Sequence, residues 1–298
     1  MIVNGVAIED SFAEAFGMRA TRLLLTAPTG RWARIAAENL TGFATSVIGC
    51  GCEAGIERIL APDETPDGRP GVSVLIFAVN SAELAKQVLA RVGQSVLTAP
   101  GSACYSGLDA SEFVPLGKSL RYFGDGFQTS KQIRGRRYWR MPVLDGEFLV
   151  EETAGMVRAV GGGNLLILGE SRGQVLAAAE RAVAAIRALR NVILPFPGGI
   201  VRSGSKVGSR YKGLIASTND AYCPTLKGVA ASRLEAGIES VLEIVIDGLT
   251  PEDVAAAMRA GITALCDVGS TGGVRRISAG NYGGKLGPFQ FHLRELAP

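Results

Sequence analysis

The chain has 298 residues, 47% of them hydrophobic, and a formal net charge of +3. This length suits one large domain or two of ordinary size, and so small a positive charge argues against a nucleic-acid-binding protein. No uncharged apolar run reaches the roughly 20 residues that cross a bilayer, and no secretory signal precedes the first predicted strand. Five scattered cysteines, an odd number, favour free thiols in a reducing compartment, so the cytoplasm is the expected location.

The first third of the chain predicts alternating strands and helices. In chain order we expect a strand over 2–8, a short helix capped by Ser11, a strand over 22–26, a helix over 31–39, a strand over 45–48, turns over 62–71, a strand over 72–79, a helix capped by Asn80, and a strand over 95–98. From residue 22 onward this order is β-α-β-β-α-β, the split βαβ unit of ferredoxin-like folds.

The second half repeats this pattern. It predicts a strand over 165–168, a helix capped by Ser171, strands over 192–194 and 241–246, a helix opened by Thr250 and Pro251, and strands over 274–278 and 289–293. Residues 118–160 alternate and are broken by turns, which predicts inserted antiparallel strands. The predicted fold class is α+β, with tandem ferredoxin-like lobes over residues 1–145 and 146–298 and an inserted antiparallel β region.

Glu243 lies in the middle of the predicted strand over 241–246, among Val and Ile on both faces. A carboxylate in such surroundings loses hydration, which raises its pKa and produces a general acid that is protonated near neutral pH. The alternative is a structural glutamate that reaches the sheet edge or pairs with an arginine. Spacing alone leaves both interpretations open.

Other motifs point away from common chemistries. His292 is the only histidine, and Cys50-x-Cys52 has no second Cys or His pair, so we expect no metal site. The stretch from Gly199 to Lys206 places Ser205 between glycine and lysine, which excludes a P-loop. A basic cluster within residues 131–140 predicts a solvated hairpin face or, as the alternative, a surface for an anionic molecule or partner.

Four loops are rich in Gly, Ser and Asn: residues 195–201, 203–209, 217–225 and 277–287. Three of them precede the Glu243 strand, and the fourth follows the next helix. Glycines permit close backbone approach to a ligand, and Asn, Ser and Lys supply hydrogen-bond donors for an oxyanion or a carboxylate. The alternative is that the loops merely cover the sheet.

Seven segments resemble the formylmethanofuran–tetrahydromethanopterin formyltransferase family over nearly the full length. They are residues 4–16, 64–71 (Glu-Thr-Pro-Asp-Gly-Arg-Pro-Gly), 123–128, 195–201, 205–209, 217–225 (Ser-Thr-Asn-Asp-Ala-Tyr-Cys-Pro-Thr) and 277–287 (Ile-Ser-Ala-Gly-Asn-Tyr-Gly-Gly-Lys-Leu-Gly). The resemblance implies a cytoplasmic acyltransferase of one-carbon metabolism, a homotetramer built as a dimer of dimers, and a substrate cleft at a subunit contact. The family's proposed catalytic glutamate falls on Glu243.

The mildly basic charge is typical of a bacterial, methylotroph-type member, which resembles one subunit of a formyltransferase/hydrolase complex. The expected substrates are a methanofuran-type furfurylamine coenzyme, or a methylofuran analogue, and tetrahydromethanopterin, with no tightly bound cofactor. The alternative function is a non-catalytic scaffolding subunit of such a complex, with hydrolase-type subunits as partners. No nucleic-acid or membrane partner is expected.

The implied chemistry moves a formyl group between the furfurylamine nitrogen and N5 of the tetrahydropterin. Glu243 would act as the acid. The predicted substrate-binding residues all come from the polar loops: Ser205, Lys206, Ser217, Asn219, Asp220, Ser278, Asn281 and Lys285. Of these, Ser217, Asn219, Ser278 and Asn281 are the predicted oxyanion donors, and Ser205, Lys206 and Lys285 are predicted to meet anionic parts of the coenzymes.

Overall fold

A computed structural model describes all residues from 1 to 298. The chain forms two compact units, which we call the terminal unit (residues 1–17 and 160–298) and the central unit (residues 18–159). The fold is mixed α and β. No helix has both the length and the apolar character needed to span a membrane.

The strands are β1 (Ile2–Val3), β2 (Val6–Ile8), β3 (Phe12–Thr26), β4 (Glu53–Leu60), β5 (Gly71–Ala78), β6 (Ala103–Ser106), β7 (Glu112–Val114), β8 (Thr129–Ile133), β9 (Arg136–Val143), β10 (Gly146–Glu151), β11 (Ala154–Gly169), β12 (Val192–Ile193), β13 (Lys206–Val207), β14 (Ala216–Ser217), β15 (Ser240–Gly248), β16 (Val274–Ser278) and β17 (Phe289–His292). The α-helices are α1 (Gly30–Thr41), α2 (Val47–Cys50), α3 (Ser81–Arg91), α4 (Leu116–Leu120), α5 (Arg172–Arg187), α6 (Pro251–Val268) and α7 (Leu293–Leu296).

The central unit is built on an antiparallel sheet in the order β6-β3-β5-β4. Strand β10 pairs in parallel with β6, and β9 and β8 then follow in antiparallel order. Helices α1 and α3 pack on β5, and Leu40 and Val88 share a buried core with Leu23, Val74 and Ile76. Burial of these side chains supplies the main stabilising term of this unit.

The terminal unit contains an antiparallel sheet in the order β16-β11-β15-β12. Strand β2 pairs in parallel with β16, and β17 pairs with residues 12–15 of β3. Helices α5 and α6 pack against each other and on β15. Gly261 permits this close packing, because a Cβ there would lie 2.8 Å from Leu165 Cδ1 and 3.1 Å from Ile186 Cδ1.

Three of the predicted helix starts are confirmed. Asn80, Ser171 and Thr250 each accept a hydrogen bond from the backbone N–H three residues later, and Pro251 begins α6. The predicted strands over 72–79, 192–194, 274–278 and 289–293 coincide with observed strands to within one residue at their ends, and those over 22–26, 165–168 and 241–246 lie within the longer strands β3, β11 and β15. The strand expected over 2–8 is a hairpin, in which Asn4 and Gly5 adopt φ of 47° and 76°.

Several local predictions are wrong. Residues 12–16 belong to strand β3, not to a helix capped by Ser11. Residues 47–50 form the short helix α2 in place of a strand over 45–48, and the strand of this region is β4, which the sequence pattern did not predict. Residues 92–96 form a π-helical turn where a strand over 95–98 was expected. Residues 116–124 are helical, although antiparallel strands were expected from residue 118 onward.

Candidate active site

A cavity of about 530 Å³ lies in the terminal unit. Its walls come from residues 201–206, 218–225, 241–243 of β15 and 279–282 directly after β16. Polar loops that are far apart in the sequence therefore contribute to one cavity beside the Glu243 strand. A cavity of this size is within the range that holds a small-molecule ligand.

Glu243 reaches the cavity from the middle of β15. Its backbone pairs with Leu166 of β11 on one side and exchanges hydrogen bonds of 2.7 and 2.9 Å with Val201 on the other. Side chains alternate along a strand, so Ile244 and Ile246 enter the core, where both are fully buried. The Glu243 side chain is consequently fixed on the face that carries the cavity.

Burial alone raises the pKa of Glu243 from 4.5 to about 7, without a contribution from a neighbouring charge. Desolvation disfavours the charged carboxylate more than the neutral acid. The structural alternative of an ion pair with an arginine would lower the pKa. Near neutral pH this side chain is therefore divided between its acid and its carboxylate forms, which is the condition under which a group both donates and accepts protons.

Tyr282 lines the cavity with Glu243. Burial raises the pKa of the Tyr282 phenol, a hydrogen bond with Ser205 opposes this shift, and the carboxylates of Glu243 and Glu14 reinforce it. The phenol therefore remains protonated at neutral pH and is available as a hydrogen-bond donor.

Lys206 and Asp220 form an ion pair at the cavity wall, with Lys206 Nζ donating to Asp220 Oδ1 over 2.6 Å. The hydrogen bond from Lys206 is the main cause that lowers the pKa of Asp220. Asn219 is the N-terminal cap residue of the short 3₁₀ turn Asp220–Tyr222. This wall thus presents a cation, a carboxylate and an amide close to one another.

The structure brings six of the nine predicted site residues together around the cavity: Ser205, Lys206, Asn219, Asp220, Glu243 and Asn281. The other three lie outside its lining. Ser217 is paired with Lys206 across β13 and β14, and its hydroxyl donates to the carbonyl of Gly208 over 2.7 Å. Its side chain is therefore already engaged within the hairpin.

Ser278 and Lys285 occupy contrasting surroundings. Ser278 is fully buried at the end of β16, and its Oγ lies 3.3 Å from the phenol oxygen of Tyr222, which lines the cavity. Lys285 is exposed on the loop that follows Tyr282. Ser278 therefore contacts a cavity-lining residue without lining the cavity itself, and substrate contact by Ser217, Ser278 and Lys285 stays a prediction.

The sequence interpretation missed several lining residues: Arg202, Tyr222, Cys223, Arg233 and Tyr282. Tyr222, Cys223 and Tyr282 stand inside the segments that carry the family resemblance, next to residues that were selected. The signal that could have found the two tyrosines is an aromatic side chain with a polar end among glycines, amides and hydroxyl residues. Arg202 and Arg233 have no comparable local signal.

Comparison with known proteins covers the whole chain. Residues 1–143 match the family model described as "Formylmethanofuran-tetrahydromethanopterin formyltransferase", and residues 146–296 match the model described as "FTR, proximal lobe". The formylmethanofuran–tetrahydromethanopterin formyltransferase of Methylococcus capsulatus is 66% identical over 296 residues, covering 99% of each chain.

Two solved structures are similar over the full length. The formyltransferase/hydrolase complex from Methylorubrum extorquens, in complex with methylofuran, contains a chain with a TM-score of 0.97 and 55% identity, covering 99% of this chain and 98% of that chain. The formyltransferase from Methanosarcina barkeri has a TM-score of 0.93 and 50% identity, covering 99% and 100%. The resemblance inferred from the seven segments is confirmed. The chain therefore belongs to the formylmethanofuran–tetrahydromethanopterin formyltransferase family and is a transferase of that family.

Proposed function

We propose that the cavity beside β15 is where this enzyme transfers a formyl group between a furfurylamine-type coenzyme and N5 of a tetrahydropterin, with Glu243 as the general acid. The observation that carries this proposal is the Glu243 carboxyl group, whose pKa burial raises to about 7 at the wall of a polar cavity. The relatives' names identify the two coenzymes as methanofuran-type and tetrahydromethanopterin.

Attack by N5 on the formamide carbon forms a C–N bond and moves the carbonyl electron pair onto oxygen. The resulting oxyanion needs positioned donors, and the loss of one such donor typically costs about 2.7–4 kcal/mol in the barrier. Tyr282 and Asn219 are candidate donors, because both line the cavity, whereas the amide nitrogen of Asn281 already donates to Ser11 and to the carbonyl of Phe12. Since both nucleophile and leaving group are substrate amines, the chemistry does not require a nucleophile from the enzyme.

Collapse of the tetrahedral intermediate breaks the bond to the furfurylamine nitrogen. An amine leaves poorly as an anion, so a proton must reach this nitrogen as the bond breaks. The protonated form of Glu243 is positioned to supply this proton and then holds the negative charge as a carboxylate. It regains a proton from the N5 nitrogen, which must lose one, so the protons balance over a turnover.

Anionic groups of the coenzymes require cations and small donors. We assign this role to Ser205 and Lys206, with Asp220 orienting the ammonium group of Lys206 through their 2.6 Å hydrogen bond. Lys285 extends from the adjoining loop and is proposed to meet a coenzyme part outside the cavity. Ser217 and Ser278 are proposed to act through Lys206 and Tyr222, their respective neighbours.

A formyl-transfer assay on the isolated chain, followed spectroscopically with both coenzymes supplied, tests the function. We expect turnover by the chain alone. A scaffolding subunit would show none alone and would show activity only in a mixture with catalytic partners. The presence of Glu243 in a polar cavity argues against the scaffolding alternative.

We further propose that the chain is a tandem pair of ferredoxin-like lobes, dividing near residues 145 and 146. The sheet orders β6-β3-β5-β4 and β16-β11-β15-β12 support this. In each, the first strand in chain order lies between the fourth and the third, and the second strand lies beyond the third, which is the strand order of a split βαβ unit. The family-model matches to residues 1–143 and 146–296 also support the division, which differs from the compact units in where residues 1–17 and 146–159 fall.

For its assembly, we propose a cytoplasmic homotetramer or a complex with hydrolase-type subunits. A relative from Methylorubrum extorquens, 55% identical, is named as one of the subunits of a formyltransferase/hydrolase complex. Native mass spectrometry of the chain purified from its own host separates the two assemblies. Four copies of a 31.1 kDa chain indicate the homotetramer, and additional polypeptides indicate the complex.

A further inference from the structure

Glu14, in the part of β3 that belongs to the terminal unit, is buried with 1% of its surface exposed. One carboxylate oxygen accepts the backbone N–H groups of Tyr282 over 2.8 Å and Gly284 over 3.0 Å. The other accepts those of Gly287 over 3.0 Å and Leu286. Four N–H groups of one loop, and no cationic side chain, therefore satisfy this carboxylate.

The hydrogen bonds decide the charge state of Glu14. Burial by itself would raise the pKa of this carboxyl group, but the four backbone N–H groups outweigh burial and lower it below its usual value. A buried carboxylate without partners is strongly destabilising, so the folded strand requires the loop to remain closed over Glu14. The four N–H groups belong to residues outside any helix or strand, so no regular secondary structure supplies their acceptors. Glu14 is their acceptor.

Further contacts fix the start of the same loop. Asn281 Nδ2 donates to Ser11 Oγ over 3.1 Å and to the carbonyl of Phe12 over 3.3 Å. The backbone N–H of Gly280 donates to Asn164 Oδ1 over 2.5 Å, and Asn164 Nδ2 donates back to the Gly280 carbonyl over 3.2 Å. Residues 280 and 281 therefore have defined positions where they enter the cavity wall.

The end of the loop is equally constrained. Gly287 lies against the carbonyl oxygen of Ala15, and a Cβ at position 287 would overlap that oxygen. Strand β17 then pairs with residues 12–15 of β3, starting with Phe289 opposite Ala15. Glu14 stands at the centre of this contact between the strand and the loop.

We infer that Glu14 is a positioning residue for formyl transfer: by holding the 280–287 loop closed, it fixes Tyr282 and Asn281 at the cavity wall beside Glu243. This inference rests on the proposed function for its kinetic consequence only, since the clamp itself is a property of the fold. Glu14 does not line the cavity, so it acts through the loop and not on the substrate.

The test compares Glu14→Gln with Glu180→Gln, an exposed glutamate on α5 that supplies the matched control. The amide keeps the shape of Glu14 but offers one acceptor oxygen and turns an NH₂ group toward the loop N–H groups. We expect kcat to fall by about 10- to 100-fold, as for a misplaced catalytic group, with the control unchanged. Trypsin cleavage after the exposed Lys285, followed by mass spectrometry, should become faster in Glu14→Gln alone.

A double-mutant cycle with Tyr282→Phe distinguishes positioning from a general loss of stability. If Glu14 acts through Tyr282, Glu14→Gln lowers kcat by a smaller factor in the Tyr282→Phe background than in the wild type. Equal factors in both backgrounds would overturn the inference. Wild-type kcat in Glu14→Gln, with wild-type resistance to trypsin, would also overturn it.

A measurement on the wild-type protein decides the matter if Glu14→Gln does not fold. Amide hydrogen exchange by NMR should be about 100-fold slower at Tyr282, Gly284, Leu286 and Gly287 than at Lys285, which lies in the same loop. Exchange at equal rates would show that the clamp does not exist. A wild-type chain with slow exchange but no formyl transfer would overturn the proposed function and leave the clamp supported.

Discussion

Glu243 and Tyr282 line the same cavity from different segments, and the carboxylate of Glu243 helps to raise the pKa of the Tyr282 phenol, after burial. The Tyr282 phenol therefore titrates in the field of the Glu243 carboxylate. Near neutral pH the cavity holds a protonated phenol beside a carboxyl group that is about half protonated. When Glu243 is in its acid form, two neutral proton donors line the cavity in which we propose that a formyl oxygen and a leaving amine are stabilised.

Replacing Glu243 by Gln should reduce kcat by about 10²- to 10⁴-fold, because the amide keeps the shape and a donor but does not deliver a proton. Steady-state assays with both coenzymes, compared with Glu180→Gln, measure this. Turnover near the wild-type rate in Glu243→Gln would remove this glutamate from the mechanism.

The pH dependence of kcat follows from the same group. Glu243 acts in its protonated form, and its pKa is raised to about 7, so the active fraction falls as pH rises through that value. We expect a descending limb of kcat above about pH 7 in the wild type and its disappearance from the residual activity of Glu243→Gln. A flat wild-type profile from about pH 6 to pH 9 would contradict the assignment.

Glu243 should also lower stability at alkaline pH. Its folded-state pKa lies above the unfolded value, so the folded state holds the proton more tightly and stability falls as pH rises from 4.5 to about 7. The shift corresponds to roughly 3 kcal/mol at most. Urea titrations should find Glu243→Gln more stable than wild type near pH 8 and similar to it near pH 4. If the difference in free energy of unfolding between Glu243→Gln and wild type were the same at both pH values, Glu243 would be fully hydrated in the folded chain.

Replacing Tyr282 by Phe should lower kcat by about 10²-fold, the typical effect of losing one oxyanion donor, while the ring keeps its packing. The substitution also removes the partner of Ser205. We expect little change in the free energy of unfolding, measured by urea titration. An unchanged kcat would remove Tyr282 as a donor and leave Asn219 as the candidate for the oxyanion.

Replacing Lys206 by Ala should raise the KM of one coenzyme about tenfold with a smaller change in kcat, because a cation that binds a remote anionic group contributes to ground-state and transition-state binding alike. The effect should weaken at high salt. Lys285→Ala serves as the comparison on the exposed loop. Unchanged KM values in both variants would exclude these lysines from coenzyme binding.

Helix α6 illustrates what local sequence predicts well. Thr250 and Pro251 specify its start, and Val254, Ala257, Met258, Gly261, Ile262 and Leu265 form one buried stripe, so the signal lies within the helix itself. The strand that carries Glu243 is similar, because alternation within nine residues places Ile244 and Ile246 in the core and leaves Glu243 on the opposite face.

The segment at 12–16 illustrates what local sequence did not predict. Phe12, Ala15 and Phe16 have helical spacing, and Glu14 between them suggests an exposed face. In the structure Ala13, Glu14 and Ala15 are all buried, since partners more than 260 residues away cover them. Strand β4 was missed for a related reason: Glu57 is buried, and its carboxylate is satisfied by Ser73 on the adjacent strand β5 and by Arg22 on β3, which no pattern within β4 reveals.

The candidate site follows the same division. The polar loops were predictable from composition, because glycines and amides around a strand are typical of ligand sites. Which of their residues face the cavity was not predictable from composition. Ser278 and Tyr282 are four positions apart in the same predicted loop, and the path of the chain after β16 decides where each side chain lies. Ser278 ends in the core, and Tyr282 ends in the wall.

The acceptor and the donors of the Glu14 clamp are 268 to 273 positions apart along the polypeptide. A ribosome must translate Gly287 before Glu14 meets its last partner, so this wall of the cavity forms only after nearly 290 residues have been synthesised. Until then water solvates the Glu14 carboxylate, and the start of β3 cannot be buried as it is in the folded chain without the cost of an unpartnered charge.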